Sequence, residues 1–116
     1  MTVPMLHVCV TCRAGQPLAE GAPAPGRLLH DAVAAHPHAG RIELREVACL
    51  ASCDHGCAAA IHMPGKWRYL LGWLDAPLAG DLLDYAARYA EHPTGTVLPS
   101  KRPASLSRMI LGRMPA

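Results

Sequence analysis

The sequence contains no Phe, and Trp and Tyr together make up only 4% of it. So few rings argue against a nucleic-acid surface built from aromatic stacking platforms. The net charge is also small, because the sequence has 11 Lys and Arg residues and 9 Asp and Glu residues. An excess of +2 gives no reason to expect a nucleic-acid or membrane partner.

Long apolar runs are missing as well. No uncharged stretch approaches the about 20 apolar residues of a membrane helix. The first seven residues lack the basic start and following apolar stretch of a secretory signal. We therefore expect a cytoplasmic protein, and 116 residues are enough for a single modest core.

Two kinds of catalytic motif are absent. There is no Gly-rich phosphate loop of the Walker or dinucleotide type, and no Ser, His and Asp spacing that would support a hydrolytic triad. Nucleotide-dependent and hydrolytic chemistry thus have no basis in the sequence. We predict that the protein is not an enzyme by itself.

What the sequence does have is five cysteines in two groups. Cys49, Cys53 and Cys57 fall within nine residues, and Cys9 and Cys12 lie far upstream. An odd number of cysteines in two spaced groups, in a reducing cytoplasm, favours metal binding or redox chemistry over a disulfide framework. The pairs Cys9 with Cys12 and Cys49 with Cys53 supply four soft thiolate ligands, which suit a 2Fe-2S cluster or a tetrahedral zinc ion.

The hydrophobic pattern predicts how the two groups meet. Residues 5–10 read as a strand, 13–26 as a Gly- and Pro-rich connector, 27–35 as a helix and 41–48 as a second strand. A strand, a helix and a strand in this order predict a parallel pair with a crossover connection. The residues that follow the two strands, Cys12 and Cys49, should then emerge at the same edge of the sheet.

The second half predicts a hairpin and a helix. Residues 58–63 and 66–74 form two apolar runs around a Pro-Gly turn, and 75–91 have helical spacing. We therefore predict an α/β fold of one domain, residues 1–93, with a four-stranded mixed sheet. Residues 94–116 are predicted to be an irregular basic tail with no more than one short amphipathic turn.

Four segments together resemble the family known as domain of unknown function 1636, whose members are small bacterial proteins described as metal-binding or ferredoxin-like. The segments are Cys9-Val10-Thr11-Cys12-Arg13, the cysteine stretch 49–57, Pro64-Gly65-Lys66-Trp67-Arg68-Tyr69 with Gly72 after it, and residues 85–89. The stretch from Cys49 to Gly56 is also similar to the second ligand pair and glycine turn of thioredoxin-like 2Fe-2S ferredoxins. The resemblance implies a thioredoxin-like ferredoxin layout.

The resemblance also implies a function. It suggests a 2Fe-2S cluster on Cys9, Cys12, Cys49 and Cys53, and single-electron transfer from a reductase to an acceptor enzyme, conceivably one of cobalamin synthesis. It further suggests a homodimer. Two departures leave the ligand set open: the ferredoxins space their first pair more widely, and they usually have Pro where this chain has Cys57, a further candidate ligand.

Other interpretations of the same cysteines remain open. A zinc-binding module needs only the same four thiolates, and a zinc or cobalt carrier could use Cys57 or His55 as an exchange ligand. A thiol-disulfide pair at Cys9 and Cys12 is disfavoured, because such pairs usually open a helix and here a connector follows.

Several residues outside the cysteines also carry expectations. His36 and His38 should be exposed at a helix end, without a ligand role. Trp67, Tyr69 and Trp73 should belong to the core or to a subunit interface. The basic residues of the tail are either a solvated end or a docking strip for an acidic redox partner; they are Lys101, Arg102, Arg108 and Arg113.

Overall fold

The computed structural model describes residues 3–14, 16–51 and 53–116, with residue 53 described through its backbone alone. Within these ranges the chain forms two α-helices and a five-stranded sheet. The elements in chain order are β1 (Met5–Cys9), α1 (Pro25–Ala34), β2 (Glu43–Val47), β3 (Ala59–His62), β4 (Arg68–Leu71), α2 (Ala79–Glu91) and β5 (Ile110–Met114). The strand order is β2-β1-β3-β4-β5.

The first three elements form the predicted parallel unit. β1 and β2 run parallel with Cys9 opposite Val47, and α1 connects them. β3 pairs antiparallel with the other side of β1, and β3 and β4 form the predicted hairpin. The sheet is therefore mixed, and the loops after β1 and β2 leave it at the same edge, as the sequence predicted.

The tail departs from the prediction. The mixed α/β fold class is confirmed, but a sheet of four strands followed by an irregular tail was wrong, because Ile110–Met114 pairs antiparallel with β4. Without β5, the outer edge of β4 would leave its backbone N–H and C=O groups unpaired. Two further tail residues, Leu106 and Met109, are buried, and the Arg113 guanidinium lies 4.6 Å from the centre of the Trp67 ring.

Both helices cover the same face of the sheet. Tyr69 of β4 packs edge-on against Tyr89 of α2, with ring centres 6.3 Å apart. Arg27 of α1 forms an ion pair with Glu46 of β2 at 2.6 Å. Adjacent side chains of a strand lie on opposite faces of the sheet, so the neighbours of the residues under the helices lie on the other face. His7 is one of these residues, and it is half-exposed.

The helices follow their sequence signals. α1 begins at Pro25, two residues before the predicted start, and Pro suits a first turn because its missing N–H would have no partner there. α2 is preceded by a short 3-10 turn, Ala76–Leu78, and ends immediately before His92 and Pro93. In the described part of the chain, neither helix has the length and apolar character needed to cross a membrane.

Candidate metal centre

Three cysteines are buried together where β1 ends and β3 begins. Cys9 is 2% exposed, Cys12 1% and Cys57 0%. Cys12 and, more weakly, Cys9 lie close enough to Cys57 to add to the rise that burial causes in the pKa of its thiol. The backbone fixes Cys57 in this place, because its N–H donates to the Leu74 carbonyl at 3.0 Å and its own carbonyl accepts from Leu74 N–H at 3.1 Å.

The environment of Cys57 keeps its thiol protonated. Burial, followed by the neighbouring Cys12, raises the pKa of Cys57 to about 12. In the metal-free protein at neutral pH, the side chain of Cys57 is therefore a neutral thiol and not a thiolate.

The first turn of α1 packs directly against the loop that contains Cys12. Gly26 N–H donates to the Cys12 carbonyl at 2.9 Å. A Cβ atom added to Gly26 would lie 1.9 Å from the Cys9 carbonyl oxygen and 3.2 Å from the Cys12 Cβ. Only glycine leaves room for this approach, so Gly26 sets the position of the first cysteine pair relative to α1.

The loop after β2 brings Cys49 to the same edge of the sheet. Cys49 is exposed, and its sulfur accepts a hydrogen bond from Ala51 N–H at 3.2 Å. Ala51 has a positive φ of 57°, which turns the backbone back toward Cys49. Hydrogen bonds to Ala48 connect this loop to the end of β1 and the loop after it. The Ala48 carbonyl accepts from the Cys9 thiol at 3.7 Å and from the Thr11 hydroxyl.

The structure thus unites part of the predicted ligand set. Cys9 and Cys12 lie together, with Cys57 as the third buried thiol, whereas Cys49 lies on the exposed loop beside them. The side chain of Cys53 lies outside the described part of the chain, so its ligand role stays a prediction. Among the described residues, no group of three or more His, Cys, Asp and Glu side chains could hold a metal ion.

Residues 6–116 match the family described as a protein of unknown function, DUF1636. The chain belongs to the DUF1636 family. A comparison with curated protein sequences gives no match.

The DUF1636 chain is also similar to two solved structures of a thioredoxin-like [2Fe-2S] ferredoxin from Aquifex aeolicus. One has a TM-score of 0.57 at 12% identity, and the similarity covers 100% of this chain and 96% of that one. The other is a 1.5 Å crystal structure of the wild-type protein, with a TM-score of 0.58 at 12% identity. This similarity covers 97% of this chain and 99% of that one. At this identity the likeness shows the fold, which is that of the thioredoxin-like ferredoxins.

Two exposed rings lie next to the cysteines of the DUF1636 protein. His55 and Trp73 pack edge-on with centres 5.4 Å apart, and Trp73 N–H donates to the His55 carbonyl at 2.7 Å. Trp73 is 54% exposed, unlike the buried Tyr69 and the half-buried Trp67. The prediction that all three belong to the core or to an interface therefore fits Tyr69 but leaves Trp73 as a surface residue of the monomer.

The contact between Cys57 and Cys12 is the feature that sequence reasoning missed. The sequence did contain a signal for this contact. Cys57 lies directly before the predicted strand at residues 58–63, and that strand must pair with another strand of the sheet. Its partner is β1, with Val8 opposite Ala59, so the residue at the start of β3 lies beside the end of β1. The strand order, which the sequence did not predict, decides this neighbour.

Proposed function

We propose that this DUF1636 protein is a 2Fe-2S electron-transfer protein of the ferredoxin type. It would pass single electrons from a reductase to an acceptor enzyme and would not be an enzyme by itself. The observation that carries the proposal is the placement of two cysteine-bearing loops, after β1 and after β2, at one edge of a ferredoxin-like sheet. That placement can bring thiolates from two distant parts of the sequence to one cofactor.

The donor chemistry of these loops fits an iron-sulfur cluster. Cys9, Cys12 and Cys49 are soft thiol donors in adjacent loops, and Cys53 is the predicted fourth ligand. When bound, a cluster supplies one-electron redox chemistry at a potential that its surroundings adjust. The protein supplies such surroundings through Ala51 N–H, which donates to the Cys49 sulfur at 3.2 Å.

The proposal places the docking surface for a redox partner beside the cysteine loops. Trp73 and Arg108 line one open cavity of about 470 Å³. Lys101 and Arg108 are exposed, and neither belongs to an ion pair among the described residues, so we expect their charges to be available to an acidic partner. Arg102 is half-buried, and the Arg113 guanidinium lies over the Trp67 ring. We expect association with such a partner to weaken as salt is raised. The homodimer and an acceptor in cobalamin synthesis are predictions from the family resemblance alone.

The test is purification without oxygen followed by spectroscopy and metal analysis. We expect absorption bands between about 320 and 560 nm that bleach with dithionite, and iron and acid-labile sulfide in equal amounts. Cys9→Ala and Cys49→Ala should each lose the bands while the metal-free proteins keep native circular dichroism. A colourless protein that holds one zinc ion and cannot be reconstituted with iron and sulfide would rule out the proposal.

A zinc-binding module, or a zinc or cobalt carrier, is the second candidate. The observation that favours it is the third buried thiol, because Cys57 lies with Cys9 and Cys12 and could join them as a ligand once deprotonated. The two candidates differ in what Cys57→Ala does. A cluster on the other four cysteines keeps its iron, whereas a carrier that needs the fifth thiol loses metal transfer to an acceptor chelator while still folding.

A further inference from the structure

Two histidines face each other on the side of the sheet that the helices leave uncovered. His7 lies on β1 and His62 on β3, and their Nε2 atoms are 3.1 Å apart. The rings are nearly parallel, at 9°, with centres separated by 5.2 Å. In the antiparallel register Met5 is opposite His62 and Ala60 is opposite His7, so the two histidines are diagonal neighbours on one face.

The distance between the two nitrogens suits a shared metal ion. Imidazole nitrogens bind zinc at about 2.0–2.1 Å, so two of them 3.1 Å apart subtend an angle of about 100° at the ion. This angle lies between those of octahedral and tetrahedral coordination. We propose that His7 and His62 form a second metal site, separate from the cysteines, for a divalent ion of borderline softness such as zinc, cobalt or nickel.

The two imidazoles can bind an ion without releasing a proton. When both rings are neutral, the Nε2–Nε2 contact requires one Nε2–H to donate to the Nε2 of the other ring, so the two imidazoles are then different tautomers. A bound ion takes the lone pair of both Nε2 atoms, and the ring that carried Nε2–H then carries its proton on Nδ1. Metal binding therefore converts the pair to two Nδ1–H tautomers, and this change is a specific signature.

The surroundings favour a neutral His7 imidazole and leave the site open. Burial, then His62 and Arg45, lower the pKa of His7, while Glu43 raises it. Met5 is opposite Glu43 on one side and opposite His62 on the other. Glu43 and His62 both line an open cavity of about 420 Å³. Because no third described His, Cys, Asp or Glu completes the group, water fills the remaining positions and the ion should exchange readily.

The experiment must separate this site from the cysteines, which also bind zinc. We would record long-range ¹H–¹⁵N spectra of the imidazole rings in the complete ¹⁵N-labelled protein while adding zinc from zero to three equivalents. We expect both His7 and His62 to become Nδ1–H tautomers with a metal-bound Nε2. In His7→Gln and in His62→Gln, the zinc bound per chain should fall by one equivalent, with the cysteine-bound share unchanged.

The chain supplies a matched control pair. His36 and His38 also have neighbouring rings, with centres 5.4 Å apart, but they are tilted by 39° and His36 Nδ1 accepts from the His38 backbone N–H. His36→Gln should therefore leave the zinc stoichiometry unchanged. The proposal is overturned if saturating zinc leaves the tautomers of His7 and His62 as they were in the metal-free protein, or if His36→Gln costs as much zinc as His62→Gln. Because the tautomer readout uses the unsubstituted chain, a variant that fails to fold leaves the test intact.

Discussion

The buried thiols of Cys57 and Cys12 are neighbours, which places the residue before β3 against the loop after β1. If Cys12 is a cluster ligand, a neighbouring Cys57 that stays protonated can donate to its sulfur, which spreads the negative charge and favours the reduced state. Cys57→Ala should then keep iron and sulfide but lower the reduction potential by tens of millivolts, on the order expected for one hydrogen bond to a ligand sulfur. A redox titration followed by visible absorbance measures this change.

Cys12→Ala is the matched control for this substitution, because it removes the other buried thiol of the pair. It should lose the cluster altogether. Loss of iron from Cys57→Ala as well would show that Cys57 is itself a ligand, contrary to the ligand set proposed above.

Gly26→Ala should destabilise the protein strongly. Its Cβ would lie 1.9 Å from the Cys9 carbonyl oxygen, and a backbone atom in this position cannot move aside without shifting β1 or α1. We expect the free energy of unfolding to fall by about 3 kcal/mol. Gly40→Ala is the control, because nothing lies within 4 Å of its added Cβ, and it should be neutral or stabilise by about 0.5 kcal/mol. Urea denaturation compares them, and equal values would refute the close packing at Gly26.

The reduced, metal-free protein should lose stability at alkaline pH. Burial raises the pKa of Cys57 and of Tyr89 to about 12, from ordinary values of 9.0 and 10.0, and raises the pKa of Tyr85 as well. Above pH 9 the unfolded chain releases protons that the folded chain retains, so stability that is complete below pH 9 is lost as the pH approaches 12. Urea denaturation between pH 8 and 11 measures the decline.

Cys57→Ala separates the contributions to this decline. Without Cys57 the loss of stability should begin nearer pH 10, where tyrosine ionises in the unfolded chain. A decline that still begins at pH 9 in Cys57→Ala would contradict a raised pKa at this thiol.

Removal of residues 109–116 should destabilise the rest of the chain. The deletion removes β5, which pairs with β4, and the buried side chain of Met109. We expect a loss of about 3 kcal/mol or more in the free energy of unfolding, since burial of a Met side chain alone contributes at this level. Removal of residues 115–116 alone, which lie beyond β5, should have little effect. Equal thermal stability of the two shortened chains would support the predicted separation of residues 94–116 from the domain.

The sequence predicted the elements near the cysteines well because local signals mark them. Apolar spacing from residue 27 onward predicted α1, the 43–47 segment carries a short alternation, and Pro64 with Gly65 favours the hairpin turn. The first two residues of α1, Pro25 and Gly26, were assigned to the connector instead. β5 was missed because its five residues become a strand only when the edge of β4 is beside them. The contact between Cys12 and Cys57 was missed for a similar reason, since it depends on which strand lies next to β1.

β2 is an edge strand, and its exposed side chains have a consequence for self-association. Glu43, Arg45 and Glu46 are all exposed on a strand of five residues. A second molecule that extended the sheet along β2 would have to desolvate this row of alternating charge, which is a common natural protection against edge-to-edge aggregation. We therefore expect any homodimer of this protein to leave the β2 edge in water and to assemble through another surface.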